Sequence, residues 1–153
     1  MKTIELIARG VLQDNELVLL ARPKGDTYTF LPGGHINFGE PAEEALTREI
    51  KEELGVSIRI KQLLGVVEHV WSALDGLNHE LNLVFAIECK ELSFEHVPIS
   101  KESHLEFLWQ PLDDLKSVNL KPAPLCELLP RWLKDGVKAN WNSTLRDLGA
   151  QGS

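Results

Sequence analysis

Hydrophobic residues recur along this chain with two periods, and the changes between them mark out its elements. Thr3–Leu12 is rich in Ile, Leu and Val and predicts a strand. Gln13-Asp14-Asn15 reads as a turn and Glu16–Ala21 as a second strand, so the chain opens with a hairpin. Pro23-Lys24-Gly25-Asp26 is a loop, and Thr27–Leu31 is a short β-prone run ended by Pro32-Gly33-Gly34. From Glu40-Pro41-Ala42-Glu43 the period becomes helical. Proline suits the first turn, acids there complement the helix dipole, and Gly55 after Leu54 stops the helix.

Val56–Val70 predicts one or two strands around Gly65. Ser72–Asn78 is a turn carrying Asp75-Gly76, and Leu81–Cys89 is an apolar strand, which together suggest a second hairpin. Leu105–Gln110 predicts another strand, followed by a short turn of helix at Leu112–Leu115. Leu125–Lys134 predicts a helix that Pro130 bends or shortens. The tail from Asp135 is polar, with Trp141 and Leu145 as candidate docking points. The expectation is one domain over 1–135 and a loosely packed tail over 136–153. Strands and helices mix without strict alternation, so the expected class is α+β or mixed α/β.

Composition narrows the function. At 153 residues the chain is long enough for one domain with its own core. Its two cysteines, Cys89 and Cys126, exclude a disulfide scaffold and fit a reducing cytosol, so the expected location is cytoplasmic. No apolar run reaches the roughly 20 residues that span a bilayer, and Met1-Lys2-Thr3-Ile4-Glu5 does not read as a signal peptide. The net charge of -7 disfavours non-specific binding of nucleic acid or anionic membrane. An anionic substrate would then need local bases or a bridging cation. The five histidines show no zinc spacing, and no G-x-S-x-G elbow supports a serine hydrolase.

The chemistry concentrates between Gly34 and Val56. Glu40, Glu43, Glu44, Glu49, Glu52 and Glu53 fall within 14 consecutive residues, together with Arg48 and Lys51. At about 100° per residue, Glu49, Glu52 and Glu53 share one arc of the helix. Leu46, Ile50 and Leu54 fill the adjoining arc, the stripe expected to face the core. Glu43, Glu44, Thr47 and Lys51 take the solvent side, and Ala42 and Ala45 leave room in the carboxylate arc. The three carboxylates are therefore expected at the border of the buried face. Crowded like charges raise each other's pKa, and a hard divalent cation with oxygen ligands removes that cost. Arg48 can pair with Glu52 and steady the cluster.

This stretch resembles the Nudix box of the Nudix hydrolases, G-x5-E-x7-R-E-U-x-E-E-x-G-U with U bulky and aliphatic. It reads Gly34, Glu40, Arg48, Glu49, Ile50, Glu52, Glu53, Gly55, Val56, without departure. Each fixed residue occurs at roughly 5–7% in proteins, so seven together at one start site arise by chance on the order of once in a billion. The resemblance covers 23 residues directly. It implies a mixed β-sheet sandwiched between helices, with the box as a loop–helix–loop. It also implies Mg²⁺- or Mn²⁺-dependent hydrolysis of a small nucleoside diphosphate derivative, such as ADP-ribose or a nucleotide sugar, or of a nucleoside triphosphate. By position, Glu49, Glu52 and Glu53 look like metal ligands, with the Gly33 carbonyl as a further ligand, and Glu40 and Arg48 look like supports. A non-catalytic nucleotide-binding domain and an RNA 5′-end pyrophosphohydrolase are the alternatives. The intact box speaks against the first, and the acidic charge without a basic cluster against the second. A homodimer stays open.

Outside the box, Arg22 ends the second strand and Arg9 lies in the first; either could meet substrate phosphate. Phe30, Phe38 and Trp71 could stack on a base. Trp71 lies fifteen residues past Val56, where several Nudix subfamilies place specificity residues. The proline that many ADP-ribose enzymes carry near that point is absent, the next one being Pro98. Glutamates that hold cations are poor free bases, so the general base is sought outside the box. Glu102, in the polar Ser100–His104 loop, comes first, Glu80 at the start of a strand second, and Glu49 remains an option if two box acids suffice for metal.

Overall fold

The computed structural model describes residues 1–136 together with Ser143 and Leu145. Its strands are β1 (Ile4–Asp14), β2 (Leu17–Pro23), β3 (Thr29–Phe30), β4 (Gly33–His35), β5 (Arg59–Ala73), β6 (Gly76–Glu88), β7 (Leu105–Pro111) and β8 (Leu120–Lys121). The helices are α1 (Ala42–Leu54) and α2 (Leu125–Asp135), with a 3-10 turn at Lys116–Val118. All eight strands belong to one mixed, curled sheet, and the fold is α+β.

β1 organises the sheet because it has three partners. Residues Ile4–Leu12 run parallel to β6, Ile7–Arg9 pair antiparallel with β4, and Gln13 and Asp14 pair with β2. Beyond that junction β2 carries β7 and β3, and β3 carries β8. The sheet is covered on both faces, which explains the near-continuous apolar runs of β2 and β6. Ala8, Leu12, Leu83, Phe85 and Ile87 face a core shared with Leu46, Ile50 and Leu54 of α1. The alternate residues Val11, Val18, Leu20, Val84 and Ala86 face a second core closed by Leu125 and Leu129 of α2. Burying one such side chain is worth roughly 1.5–3 kcal/mol, so each helix is held by its apolar stripe. This is the expected sheet between two helices.

Several local expectations are corrected. The opening hairpin exists only at its tip, since β1 spends most of its length against β6. Pro32-Gly33-Gly34 does not merely end a strand, because Gly33–His35 forms β4. Pro41 caps α1 from outside and does not lie in its first turn. The expected Ser72–Asn78 turn shrinks to Leu74-Asp75, because β5 and β6 pair as far as Ala73 and Gly76. The helical turn expected at Leu112–Leu115 forms instead at Lys116–Val118. Pro130 does not shorten α2, since the helix is continuous to Asp135. Trp141 lies outside the described residues, and Leu145 is exposed.

Gly65 has a steric role. A Cβ there would stand 2.4 Å from Cζ2 of Trp132, which lays its indole from α2 across β5. Gly65→Ala should therefore cost about 1–3 kcal/mol through overpacking. Urea denaturation should show most of that cost removed in a Trp132→Ala background, where the space is open.

Candidate active site

The site begins with two glycines packed under a helix. The ladder bonds flanking the β1–β4 pair run from Gly10 N–H to the Pro32 carbonyl and from Ile36 N–H to the Leu6 carbonyl. Gly33 then falls opposite Arg9 at a position whose N–H and carbonyl are not used by β1. Its N–H donates instead to Glu53 Oε2 at 3.4 Å. With φ at 136° and a would-be Cβ only 2.0 Å from the Ala8 carbonyl oxygen, position 33 admits only glycine. At Gly34 a Cβ would meet the Glu49 carboxyl carbon at 2.4 Å, so Glu49 rests directly on this backbone.

Arg48 fixes the frame. It grips Glu40 with both Nε (2.8 Å) and Nη2 (3.0 Å), and Nη2 also donates to the His35 carbonyl. Its Nη1 reaches Glu49 at 3.0 Å and Glu52 at 3.3 Å. The Glu52 pairing read from the sequence is present, but Glu40 is the principal partner. These hydrogen bonds hold the Glu40 carboxyl below the usual range, chiefly through Arg48, and raise the pKa of Arg48. Helix, preceding loop and β4 are locked to one guanidinium.

The three carboxylates are not equivalent. Glu53 is 5% exposed, the Glu49 side chain 19% and that of Glu52 51%, so Glu52 lies toward solvent and not at the border of the core. The stripe of Leu46, Ile50 and Leu54 turns Glu53 furthest inward. Burial, opposed by Arg9 and the Gly33 N–H and reinforced by Glu49 and Glu102, pushes the Glu53 carboxyl up to about 8. Among the described residues no three His, Cys, Asp or Glu side chains are gathered at metal-binding distance. Glu49 and Glu52 instead share the positive charge of Arg48. Carboxylate oxygens along one arc of α1, one of them destabilised chiefly by burial, fit a hard divalent cation that completes its shell with water and substrate oxygens.

The loop before β7 reaches the same place. Lys101 N–H donates to the Glu53 carbonyl at 2.7 Å, and the Ser100 hydroxyl accepts from Glu102 N–H at 3.0 Å. This sets Glu102 close enough for its charge to act on Glu53. Glu80 stands elsewhere, on the wall of a cavity of about 680 Å³ that it shares with Arg9, Phe30, Trp71, Asn82 and Lys121. Trp71 Nε1 donates to one Glu80 oxygen at 3.2 Å and Asn82 Nδ2 to the other at 3.4 Å.

Arg9 joins the two regions. Its Nη1 donates to the Leu31 carbonyl at 3.0 Å, and its guanidinium lies 5.1 Å from the centre of the Phe30 ring. Protein encloses it on the sides away from the cavity. That desolvation lowers its pKa, while Glu53, Glu80 and Glu49 oppose the shift. Arg22 is placed otherwise, in an ion pair with Glu106 at 3.0 Å across β2 and β7, and does not line the cavity. Phe38 is fully exposed in the loop before α1. Sequence reasoning missed Asn82, Tyr28 and Lys121 as cavity residues. For Asn82 a signal existed, as the one polar residue in the apolar run Leu81–Ile87.

This arrangement places a helix of carboxylates under a glycine turn, beside a mixed polar and aromatic cavity. A family sequence model described as NUDIX domain matches residues 5–131. The chain belongs to the Nudix hydrolase family. An ADP-ribose pyrophosphatase of Methanocaldococcus jannaschii is 35% identical over 82 residues, covering 52% of this chain and 47% of that protein. The match thus spans about half of that relative's length. A nucleoside triphosphatase of an Enterobacter species is 28% identical over 123 residues, covering 74% of this chain and 86% of that protein. The crystal structure of a MutT Nudix hydrolase from Burkholderia pseudomallei matches with a TM-score of 0.62 at 28% identity, covering 89% of this chain and all of that one.

The raised Glu53 pKa has a consequence for stability without metal. Folding takes up a proton wherever the folded-state pKa lies above the unfolded one. Stability should be fully present below the ordinary carboxylate range and fall as pH rises toward about 8. Urea denaturation in chelator from pH 5 to 9 should show this decline. Glu53→Gln should flatten it and raise the melting temperature at pH 9, and a lower melting temperature there would refute the unfavourable burial of the Glu53 charge.

Proposed function

We propose that this Nudix protein is a divalent-metal-dependent pyrophosphohydrolase of small nucleotides, acting on a nucleoside diphosphate derivative or a nucleoside triphosphate. The observation that carries the reading is the position of Arg9 between the cavity and the α1 carboxylates. A nucleotide laid across it has its base in the cavity, its phosphates beside the guanidinium and its diphosphate bridge at Glu49, Glu52 and Glu53. The relatives named as an ADP-ribose pyrophosphatase and a nucleoside triphosphatase support both substrate types. No helix among the described residues is long and apolar enough to cross a membrane, which fits a substrate taken from solution.

Glu49, Glu52, Glu53 and the Gly33 carbonyl are the groups that would hold Mg²⁺ or Mn²⁺. A cation held there would supply neutralisation of the diphosphate charge and a lowered pKa of bound water. The chain's own residues do the rest. Arg9 offsets phosphate charge from the cavity side, and Arg48 holds Glu49 and Glu52 in place. Glu102, delivered by the Ser100–Glu102 loop, takes the proton from the attacking water. A water oxygen–phosphorus bond forms and the bridging oxygen–phosphorus bond breaks, with no covalent enzyme intermediate.

A screen of nucleotides with Mg²⁺, monitored by phosphate and pyrophosphate release, tests the activity. Chelation should abolish turnover, and solvent ¹⁸O should enter a phosphate product. Label in a sugar carbon–oxygen bond would refute attack at phosphorus. Glu52→Gln and Glu53→Gln should each cost several orders of magnitude in kcat. Glu102→Gln at saturating Mg²⁺ should cost about 10²–10⁴-fold in kcat with little change in metal affinity. A loss below tenfold would remove Glu102 as the base.

A further inference from the structure

Glu80 belongs to the cavity and stands apart from the carboxylates of α1. Each of its oxygens already accepts one hydrogen bond, from Trp71 Nε1 and from Asn82 Nδ2. These two donors fix the plane of the carboxylate and leave each oxygen further accepting capacity. Asn82 is 1% exposed, and its Nδ2 is committed to Glu80 and, at 3.5 Å, to the Val67 carbonyl. Its Oδ1 has no hydrogen-bond partner. One side of the cavity therefore presents the Glu80 carboxylate as an acceptor. Lys121, on β8, lines the same cavity and is a donor with no accepting capacity. Phe30 and Trp71 supply flat apolar surface.

We propose that Glu80 is the base-discriminating residue of this protein and that it selects guanine nucleotides. The inference rests on reading the cavity as the base pocket. A fixed carboxylate is rewarded by two adjacent N–H donors and penalised by a ring lone pair. Guanine presents such a pair, N1–H beside N2–H₂. Adenine sets its N6 amine beside the N1 lone pair, and cytosine its N4 amine beside N3. Uracil flanks its single N–H with two carbonyls. Guanine also carries acceptors, O6 and N7, on a separate edge that suits a donor such as Lys121. Loss of one hydrogen-bonding group against a half-buried charged acceptor is penalised, so a preference of about tenfold is expected.

The test compares GMP, IMP and AMP as ligands in magnesium buffer by calorimetry, with quenching of tryptophan fluorescence as a second readout. IMP is GMP without the N2 amine, so it isolates one contact. Wild-type protein should bind GMP about tenfold or more tighter than IMP, and AMP more weakly still. Glu80→Gln exchanges one acceptor for a donor, so it should erase the GMP preference and favour AMP, whose N6 and N1 match an amide. Equal binding of GMP and IMP by wild-type protein, or no measurable GMP binding, overturns the assignment. So does a preference that survives in a folded Glu80→Gln protein. The wild-type comparison holds whether or not the variant folds. Turnover separates the two readings: discrimination between GMP and IMP without hydrolysis of any nucleotide leaves the base assignment standing and removes the hydrolase one.

Discussion

The site depends on how closely α1 can approach the Gly33-Gly34 backbone. Glu49 packs where a Gly34 side chain would be, and Glu53 accepts the N–H of Gly33. Any Cβ at either position would drive the helix away from β4 or β4 away from β1. The approach is possible because Leu46 and Ile50 are drawn into the core under β1 and β6, which brings the acidic arc down with them. Arg48 then ties Glu40 and the His35 carbonyl to the helix, so one ion-pair network sets the entry loop, the turn and the carboxylates together.

Closeness has an electrostatic cost, and the site is built around it. Glu53 is buried beside Glu49 and Glu102, and its carboxyl is pushed well above the ordinary range. Arg9 offsets part of this from the other side of the turn, although its own burial is unfavourable. Such a cluster contributes little to stability in isolation and is suited to take up a cation. Arg9 is also bounded by Phe30 and faces the cavity that holds Glu80. Arg9 thus brings positive charge both to the carboxylates and to the cavity wall.

β1 gives these parts their common frame. It pairs with β6, β4 and, at its end, β2. Arg9 on this strand stands opposite Gly33 in one register and Val84 in another. Glu80 and Asn82 lie four and two residues before Val84 on β6, so a strand pairing between distant segments aligns the cavity wall with the Gly33-Gly34 backbone.

The local sequence determined what local physics controls. Helical spacing placed Leu46, Ile50 and Leu54 on one side and the carboxylates beside them, and Gly55 ended the helix. The box motif was legible because its residues fall at fixed spacings within one short segment of chain. The burial of β2 and β6 on both faces was already written in their near-continuous apolar runs. Tertiary structure decided the rest. It made β4 from residues that read as a turn, because the edge of β1 beside them was available for pairing. It turned Glu52 outward and Glu53 inward, since the core buries the helix unevenly. It brought Glu102, 49 residues from Glu53 in number, to the same carboxylates, and it engaged Arg22 with Glu106. It set Glu80 against Trp71 and Asn82 in the cavity. Contacts of this kind depend on strand register and loop closure between distant segments, which no periodicity within one segment encodes.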